Sequence, residues 1–337
     1  MRKSLLVLVL VLITALAVAC SKDGESLIKP ADTIYTYPFT GLETNEEPTN
    51  RAVAVMVNNQ TQARPQSGLH EADIVFELLA EGNITRFLAL YQSTLPERVG
   101  PVRSAREYYV NLAEGYDALY IYHGAAKFVD KMIAERGIEH LNGAKSDNDG
   151  ELFVRESFRV APHNSYVLFD EVYNRAKAKD YDAEFVHDSL SFLEDGETVS
   201  GTDASGVKIE YYQNSLVVEY EYDEARQKYI RISDGEQTKD LESETPIEVD
   251  NVFIIEADHN EIDSEGRRAI DLESGGFGYL LQEGKYKQVE WKNDKGYIVP
   301  IKDNEVIPFV KGKTWINVVQ TTPSTNVEQV QIWENNE

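Results

Sequence analysis

Two apolar runs that flank a short turn constrain the fold of this chain more than any other feature. Asp73–Ala80 alternates in period two with one fully apolar face, and Ile84–Tyr91 is apolar on both faces apart from Thr85 and Arg86. The first pattern is typical of a β-strand, and the second is typical of a central strand covered from two sides. The intervening sequence EGN has the composition of a turn, so we predict a β-hairpin.

This hairpin brings charged residues into an otherwise apolar sheet. If the loop comprises Ala80–Asn83, Glu77 faces Arg86 across the two strands. Such a pair is either a structural ion pair, because buried charges are normally paired whatever their role, or the floor of a binding site. The residues of the hairpin alone leave both interpretations open.

A second charged motif follows the hairpin. The sequence GPVRSAR at residues 100–106 leaves an extended proline segment and enters a helical pattern that continues to Ala113. Ser104 has the position of an N-cap, with Glu107 three residues later. Backbone N–H groups at a helix start, with Arg103 and Arg106 beside them, suit an anion such as a phosphate or a carboxylate. The motif therefore predicts an anion site.

Five separated motifs, in one order, give the chain a family resemblance. It is similar to the YerB-like lipoproteins of Gram-positive bacteria, a family built around a domain of unknown function. The resemblance covers most of the chain from Arg51 to Val319. It implies a cell-envelope lipoprotein with an α/β N-terminal part and a β-rich C-terminal part, and it leaves the activity open. The motifs are ARPQSGLHEADIVFE, ITRFLALYQS, GPVRSAR, APHNSY and GKTWINVV.

The N-terminus has the features of a lipoprotein signal. Arg2 and Lys3 precede the apolar run Leu5–Val18, and small residues lead to Cys20, the single cysteine. We predict a signal peptide at residues 1–19, a lipid on Cys20 that anchors the protein to the outer face of the cytoplasmic membrane, and a tether at residues 20–50. An uncleaved transmembrane anchor is disfavoured because a span needs about 20 apolar residues.

Charge and cysteine content exclude several classes of function. The formal charge of −25 becomes −27 when Arg2 and Lys3 leave with the signal peptide. Such a field repels nucleic acids, so we expect no nucleic-acid partner. With no cysteine besides Cys20, the exported part has no disulfide, no CxxC metal site and no cysteine nucleophile. No spacing matches a metal signature, and we predict neither a metal nor a cofactor.

The order of predicted elements indicates an α/β (α+β) fold in two parts. In residues 51–190, strands alternate with helices, which indicates a mixed sheet with covering helices. Asn58 and His123 follow two of these strands and are expected at the same sheet edge, where ligands bind in open α/β sheets. Composition shifts to Gly, Ser, Asp and Glu at residues 189–206, and residues 205–335 read as mostly antiparallel β-structure.

The candidate ligand-binding set consists of residues that bind anions or orient such groups. Arginine offers paired donors to a carboxylate or phosphate, and a neutral histidine can act as a general base. The ligand-binding candidates are Arg64, Glu71, Asp73, Arg86, Arg103, Arg106, Arg159, His163 and Asn164. The catalytic candidates are His163, His123 and Glu77, although each histidine has a structural alternative as a turn or strand-end residue.

Three functions remain compatible with these residues. The first is a membrane-anchored extracytoplasmic binding or accessory protein of the cell envelope, with an arginine-rich pocket for an unidentified envelope ligand or protein partner. The second is a hydrolase or transferase that acts on an anionic cell-wall substrate. In the third, the charges form an internal network and the β-rich part binds partners. The first is favoured because no nucleophile motif is recognisable.

Overall fold

The predicted hairpin is present and lies inside a mixed β-sheet. The computed structural model describes residues 33–145, 149–212, 215–321 and 329–334. The predicted signal peptide, Cys20 and the first part of the tether lie outside the described residues. Within these ranges, no helix is both long enough and apolar enough to cross a membrane. Residues from Tyr35 onward cluster as one compact unit.

The first half of the chain alternates strands and helices. Its described residues include three α-helices: α1 Glu107–Gly115, α2 Lys127–Arg136 and α3 Val172–Ala178. Short 3-10 turns cover Thr61–Ala63, Leu69–Glu71 and Phe169–Glu171. The strands are β1 Tyr35–Thr36, β2 Glu43–Thr44, β3 Val53–Asn58, β4 Ile74–Leu79, β5 Thr85–Tyr91, β6 Arg98–Val99, β7 Leu119–Tyr122, β8 His140–Asn142, β9 Phe153–Arg155 and β10 Ser165–Leu168.

In the second half, the described residues form strands and no α-helix. These strands are β11 Thr202–Tyr212, β12 Ser215–Asp223, β13 Lys228–Ser233, β14 Glu236–Gln237, β15 Glu248–Val249, β16 Asn251–Ala257, β17 His259–Glu261, β18 Arg268–Ile270, β19 Gly276–Gln282, β20 Lys285–Asp294, β21 Tyr297–Lys302, β22 Glu305–Val306, β23 Thr314–Gln320 and β24 Val330–Glu334. The predicted α+β class is confirmed.

One strand from the second half joins the two parts of the sheet. β8, β7 and β3 are parallel, and β3 continues antiparallel to β5 and then to β4. β23 pairs in parallel with β4 on one side and with β16 on the other. From β16 the sheet continues antiparallel through β19, β20 and β21. The hairpin β4–β5 is therefore internal, with neighbours on both sides.

Both faces of the hairpin are covered, which explains its apolar sequence. Every residue of β4 and β5 is buried. One face packs against Tyr108, Tyr109 and Leu112 of α1, and the other packs against β10, α3 and β11–β13. The first of these faces also buries Phe39, which belongs to the segment predicted as a tether. Any charged side chain on β4 or β5 therefore lies in a desolvated position.

Candidate functional site

The register of the hairpin differs from the predicted one by one residue. Glu77 lies opposite Phe87, while Arg86 lies opposite Leu78. Ala80 and Ile84 are hydrogen bonded, so the loop has three residues instead of four. Because side chains alternate between faces, a shift of one residue moves a side chain to the other side of the sheet. The predicted pairing of Glu77 with Arg86 is therefore wrong, and the two charges lie on opposite faces.

Glu77 belongs to a fully enclosed ion pair with Arg231 of β13. The Arg231 Nη2 to Glu77 Oε2 distance is 2.8 Å, and the two side chains are 1% and 0% exposed. Further donors to the Glu77 carboxylate are Asn59 Nδ2 at 3.1 Å, Thr85 Oγ1 at 2.9 Å and Trp315 Nε1 at 3.2 Å. This group is called the Glu77 pair below. Its carboxylate is saturated with donors and has no exposed surface, so it is not available as a catalytic base.

Aromatic rings enclose the cation of the Glu77 pair. The Arg231 guanidinium lies 4.6 Å from the Trp315 ring centroid and 5.3 Å from that of Phe87. Its Nη1 donates to Thr238 Oγ1 at 2.7 Å. Burial between the rings strengthens the attraction between the two opposite charges. One positive charge is thus balanced by one negative charge, which is typical of a structural ion pair.

Three arginines gather on the opposite face of the hairpin. The Arg86 Nη2 to Glu81 Oε2 distance is 2.8 Å, and the other oxygen of Glu81 pairs with Arg106. Arg86 also donates to Ser104 O at 3.0 Å. Arg103 lies near Arg86, whose charge acts on it. We call Arg86, Arg103, Arg106 and Glu81 the arginine cluster.

The arginine cluster has a surplus of positive charge. Among the described residues, Glu81 is the one carboxylate that pairs with these arginines, and the Arg103 guanidinium has no ion pair. Burial, followed by the Arg86 charge, lowers the pKa of Arg103 to about 10. Burial likewise lowers the pKa of Arg86 and Arg106. Because the guanidinium group stays protonated in proteins, the surplus persists at neutral pH.

Several donors of the cluster are buried and unused. Arg86 and Arg106 are 2% and 7% exposed, and the Nε atoms of Arg86, Arg103 and Arg106 have no hydrogen-bond partner within the described ranges. A buried N–H without an acceptor is costly, at about 1–3 kcal/mol, and more when it is charged. An incoming anion would supply the missing acceptors.

The cluster surrounds the start of helix α1. The helix begins at Glu107, with Arg106 as its N-cap residue and no side-chain cap. The prediction of Ser104 as the cap is wrong, because its hydroxyl donates to His123 O at 3.2 Å. The first-turn N–H groups of a helix have no intrahelical acceptors and attract anions. Three guanidinium groups and a helix N-terminus therefore converge on one place.

His163 lies beside this cluster in a defined tautomer. Its Nδ1 is 2.8 Å from Asn58 Nδ2, while Asn58 Oδ1 accepts from the N–H of Gln60 at 3.0 Å. The amide thus donates to Nδ1, so the proton of the neutral ring is assigned to Nε2. Burial and the charges of Arg103 and Arg159 lower the pKa of His163. In this state the partly exposed edge of the ring is a donor.

His123 is held neutral by a second set of contacts. Arg155 Nη2 lies 3.0 Å from Nε2, and Ser165 Oγ lies 2.9 Å from Nδ1. Since Arg155 can only donate, Nδ1 carries the proton and donates to Ser165. Asn164 accepts from Arg155 at 2.8 Å and so orients it. Burial, then the charges of Arg155 and Arg103, lower the pKa of His123 to about 4.

The remaining predicted ligand residues are engaged in contacts of their own, although Arg159 is near enough for its charge to act on His163. Arg64 pairs with Asp234 at 2.6 Å on the face of the Glu77 pair, and Arg159 donates to the carbonyls of Ala63 and Pro65. Glu71 and Asp73 precede β4, whereas the cluster lies at its other end, about 20 Å away for a six-residue strand. The prediction that Glu71 and Asp73 share one site with the arginine cluster is therefore wrong, because strand β4 separates them.

Asp73 has a structural role at its own end of the hairpin. Its carboxylate accepts from the N–H of Gln92 at 2.6 Å and from the N–H of Ser93 at 2.9 Å. Burial raises the pKa of Asp73 to about 6 against the lowering effect of these bonds. Among the described residues no group of three or more His, Cys, Asp or Glu side chains has an arrangement that could hold a metal ion.

Sequence reasoning missed two residues of central importance. Glu81 was assigned only to the turn, and its position next to a strand end was the available signal that its carboxylate could reach Arg86. Arg231 is 154 positions from Glu77, and no local pattern in its strand indicates that partner. By contrast, Arg103 and Arg106 lie beside the start of a helix, as their motif predicts.

Comparison with known proteins places this fold in a family. The sequence models of the N-terminal and C-terminal domains described as "Protein of unknown function (DUF3048)" match residues 39–182 and 207–316. The chain is 45% identical over 295 residues to a Bacillus subtilis (strain 168) protein named "Putative lipoprotein YerB", covering 87% of this chain and 88% of that protein.

A solved structure agrees with this relationship. The crystal structure of YerB protein from Bacillus subtilis superimposes with a TM-score of 0.82 at 44% identity, covering 89% of this chain and 100% of that one. The matched domains, the sequence identity and the fold all point the same way, and they confirm the resemblance drawn from the five motifs. The chain belongs to the DUF3048 family of YerB-like proteins.

Proposed function

We propose that this protein is a membrane-anchored, extracytoplasmic binding or accessory protein of the cell envelope that holds an anionic ligand at the arginine cluster. The observation that supports this most is the charge imbalance: the buried Arg86 and Arg106 share the carboxylate of Glu81, and the half-buried Arg103 beside them has no ion pair among the described residues. A structural network gains stability by balancing its charges, as the Glu77 pair does. A surplus kept at a helix start is typical of an anion site.

The anchor is proposed from the sequence and from the relative. Cys20 follows a signal-like segment, and a protein 45% identical to this one is named as a lipoprotein. A lipid on Cys20 would hold the body at the outer face of the cytoplasmic membrane. Radiolabelled palmitate should label the wild-type chain in cells, and Cys20→Ser should abolish the label and move the protein to the soluble fraction. Labelling that persists in Cys20→Ser would contradict this assignment.

The tautomers of the two histidines support binding over hydrolysis or transfer. A general base must present an unprotonated nitrogen to its substrate. The exposed edge of His163 is a donor, and the acceptor nitrogen of His123 is occupied by Arg155. Glu77 is enclosed in its ion pair. Each catalytic candidate is thus engaged in a contact that holds it as a structural or ligand-orienting group.

The test uses the protein from Ser21 onward, incubated with cell-wall fragments and envelope extract. Bound material and released products are both identified by mass spectrometry. We expect one anionic compound to be retained unchanged, with retention lost in Arg103→Ala and kept at least in part in His163→Ala. New fragments that vanish with His163→Ala would establish an enzyme and would overturn the proposal.

A further inference from the structure

The charge of the arginine cluster identifies a class of anion. Its three guanidinium groups and the single carboxylate of Glu81 leave a net charge of two positive units. Arg268 adds another guanidinium at the hairpin tip, where it donates to Gly82 O at 3.0 Å. A single carboxylate would neutralise only part of this surplus. A doubly charged oxyanion would neutralise the cluster itself.

The hydrogen-bonding capacity of the cluster favours several acceptor oxygens. The unpartnered Nε–H groups of Arg86 and Arg106 belong to side chains that are more than nine-tenths buried. The Arg103 Nε–H also has no hydrogen-bond partner within the described residues. Guanidinium groups bind planar pairs of oxygens, and a tetrahedral phosphate offers three such oxygens where a carboxylate offers two.

The helix start supplies further donors at the same place. Helix α1 has nine residues, and Arg106 occupies its N-cap position without capping it. The first-turn N–H groups and the positive end of the helix dipole favour an anion with a high charge density. The Nε of Arg231 is also unpartnered among the described residues, but it belongs to a charge-balanced pair, whereas the unpartnered donors here belong to guanidinium groups in surplus and so point independently to the same ligand.

The cluster can be reached from solvent on the side of Glu81 and Arg103. The Glu81 side chain is 24% exposed, and it bridges two arginines much as a ligand oxyanion would. His163 lies near Arg103 and presents its Nε2–H from the same edge of the sheet. A ligand that enters here meets donors from β5, from the 100–106 segment and from the turn that precedes β10.

We infer that the arginine cluster is a site for the doubly charged phosphate group of a phosphate monoester, bound by Arg86, Arg103 and Arg106 at the start of α1. This inference depends on the proposed function, since it specifies the anion that the same site holds. The phosphate could belong to a small soluble metabolite or to a lipid headgroup. Both present the same chemistry to the three arginines.

The experiment measures binding of methyl phosphate, sulfate and acetate by isothermal titration calorimetry to the protein from Ser21 onward. At pH 8 we expect methyl phosphate and sulfate to bind at least about tenfold more tightly than acetate, because each offers two charges to the surplus. At pH 5 methyl phosphate should weaken, since its second pKa of about 6 makes it a single anion, while sulfate keeps its affinity.

Two variants locate the site. Arg103→Met should weaken methyl phosphate binding at least about tenfold, as expected for the loss of a charge-assisted donor pair. Arg98→Met makes the same change in net charge, but Arg98 lies outside the cluster, where it pairs with Glu156 at 2.7 Å. The Arg98→Met variant should therefore bind methyl phosphate as tightly as the wild type does. Dihexanoyl phosphatidic acid serves as the lipid form of the probe, and tighter binding than methyl phosphate would identify a lipid source.

The outcomes separate this inference from the proposed function. Acetate that binds as tightly as methyl phosphate at pH 8 would overturn the phosphate assignment and leave an anion site. Equal loss of affinity in Arg98→Met and Arg103→Met would also overturn it, because long-range charge would then explain the binding. Absence of binding for all three anions and for the lipid probe would overturn both proposals.

Discussion

Two groups of arginines occupy opposite faces of one hairpin and differ in how their charges are balanced. Arg231 lies against Glu77 in a pair with almost no exposure, held between Phe87 and Trp315. On the other face, Arg86 and Arg106 share Glu81, and Arg103 has no ion pair among the described residues. A fold under selection for stability alone would balance both groups. The unbalanced charges of the arginine cluster lower the stability of the fold, as is common at functional sites.

The largest effect is expected from breaking the balanced group. Arg231→Met leaves the Glu77 carboxylate buried without its cation, which typically costs about 3–5 kcal/mol. The free energy of unfolding, from urea denaturation followed by circular dichroism, should fall by that amount. In the double variant Glu77→Gln with Arg231→Met, much of the loss should be recovered, because no uncompensated charge remains. A loss below about 1 kcal/mol in Arg231→Met would show that the pair is not structural.

The same comparison shows what the sequence can and cannot specify. Period-two alternation predicted β4 and β5 to within a residue or two, because burial on both faces dictates apolar side chains. It could not fix the register, since loops of three and four residues are both compatible with the sequence EGN. That one-residue difference places Glu77 and Arg86 on opposite faces of the sheet instead of on the same face. The two strands were thus predicted correctly, whereas the pairing of Glu77 with Arg86 was not.

A smaller effect is expected from removing the one carboxylate of the arginine cluster. Glu81→Gln should lower the free energy of unfolding by about 1–2 kcal/mol, since partly exposed charge-assisted hydrogen bonds are lost. It should also tighten methyl phosphate binding severalfold, because Glu81 no longer competes for Arg86 and Arg106. Thermal unfolding with and without 10 mM methyl phosphate measures both effects, as a ligand that binds the folded state raises its stability.

The control for this variant is Glu242→Gln, which removes a carboxylate from the exposed pair with Arg98. It changes the net charge equally and should leave methyl phosphate affinity unchanged. If Glu81→Gln weakened binding, Glu81 would be part of the ligand-binding contacts instead of a competitor. The contrast with the Glu77 pair, where the carboxylate only stabilises the fold, would then lose its basis.

A still smaller change in stability is expected when the surplus of positive charge in the arginine cluster is reduced. Arg103→Met removes a half-buried cation that is repelled by Arg86, so the free energy of unfolding should stay within about 0.5 kcal/mol of the wild-type value or rise slightly. Arg231→Met, with the same substitution, is expected to be several kcal/mol less stable. A loss above about 2 kcal/mol in Arg103→Met would indicate that Arg103 is a structural residue.

The site could be predicted from the sequence where its residues are local or where they follow parallel strands. Arg103 and Arg106 share one short motif, and the nearby helical pattern indicated their convergence. Asn58 and His123 were correctly placed at one sheet edge, because parallel strands end together. The contact of His163 with Asn58 spans 105 positions and depends on how the 156–164 segment returns to the sheet. Contacts of this kind, between segments that are distant in the sequence, leave no periodic signal in it.

The smallest effect that distinguishes the arginine cluster from the Glu77 pair is expected in the pKa of His163. Burial and the charges of Arg103 and Arg159 hold its folded-state pKa below the unfolded value of about 6.5. Its neutral form therefore contributes stability above pH 6.5, and this contribution is lost as the pH falls through the folded-state pKa. Arg103→Met should raise the folded-state pKa of His163 towards its unfolded value. The pH range between the two pKa values then becomes narrower, and the free energy of unfolding falls by less as the pH is lowered.

Proton NMR of the imidazole ring measures this pKa directly between pH 4 and 8. Arg231→Met should leave the His163 titration unchanged, because the Glu77 pair lies on the other face of the sheet and the charges that act on His163 are those of Arg103 and Arg159. His123 should respond less than His163 to Arg103→Met, since burial and Arg155 precede Arg103 among the causes of its shift. If the Arg103 and Arg231 variants moved the His163 pKa equally, the two faces would be electrostatically coupled. The surplus on one face would then have to be counted together with the pair on the other, and the distinction between a structural and a functional arginine group would not hold.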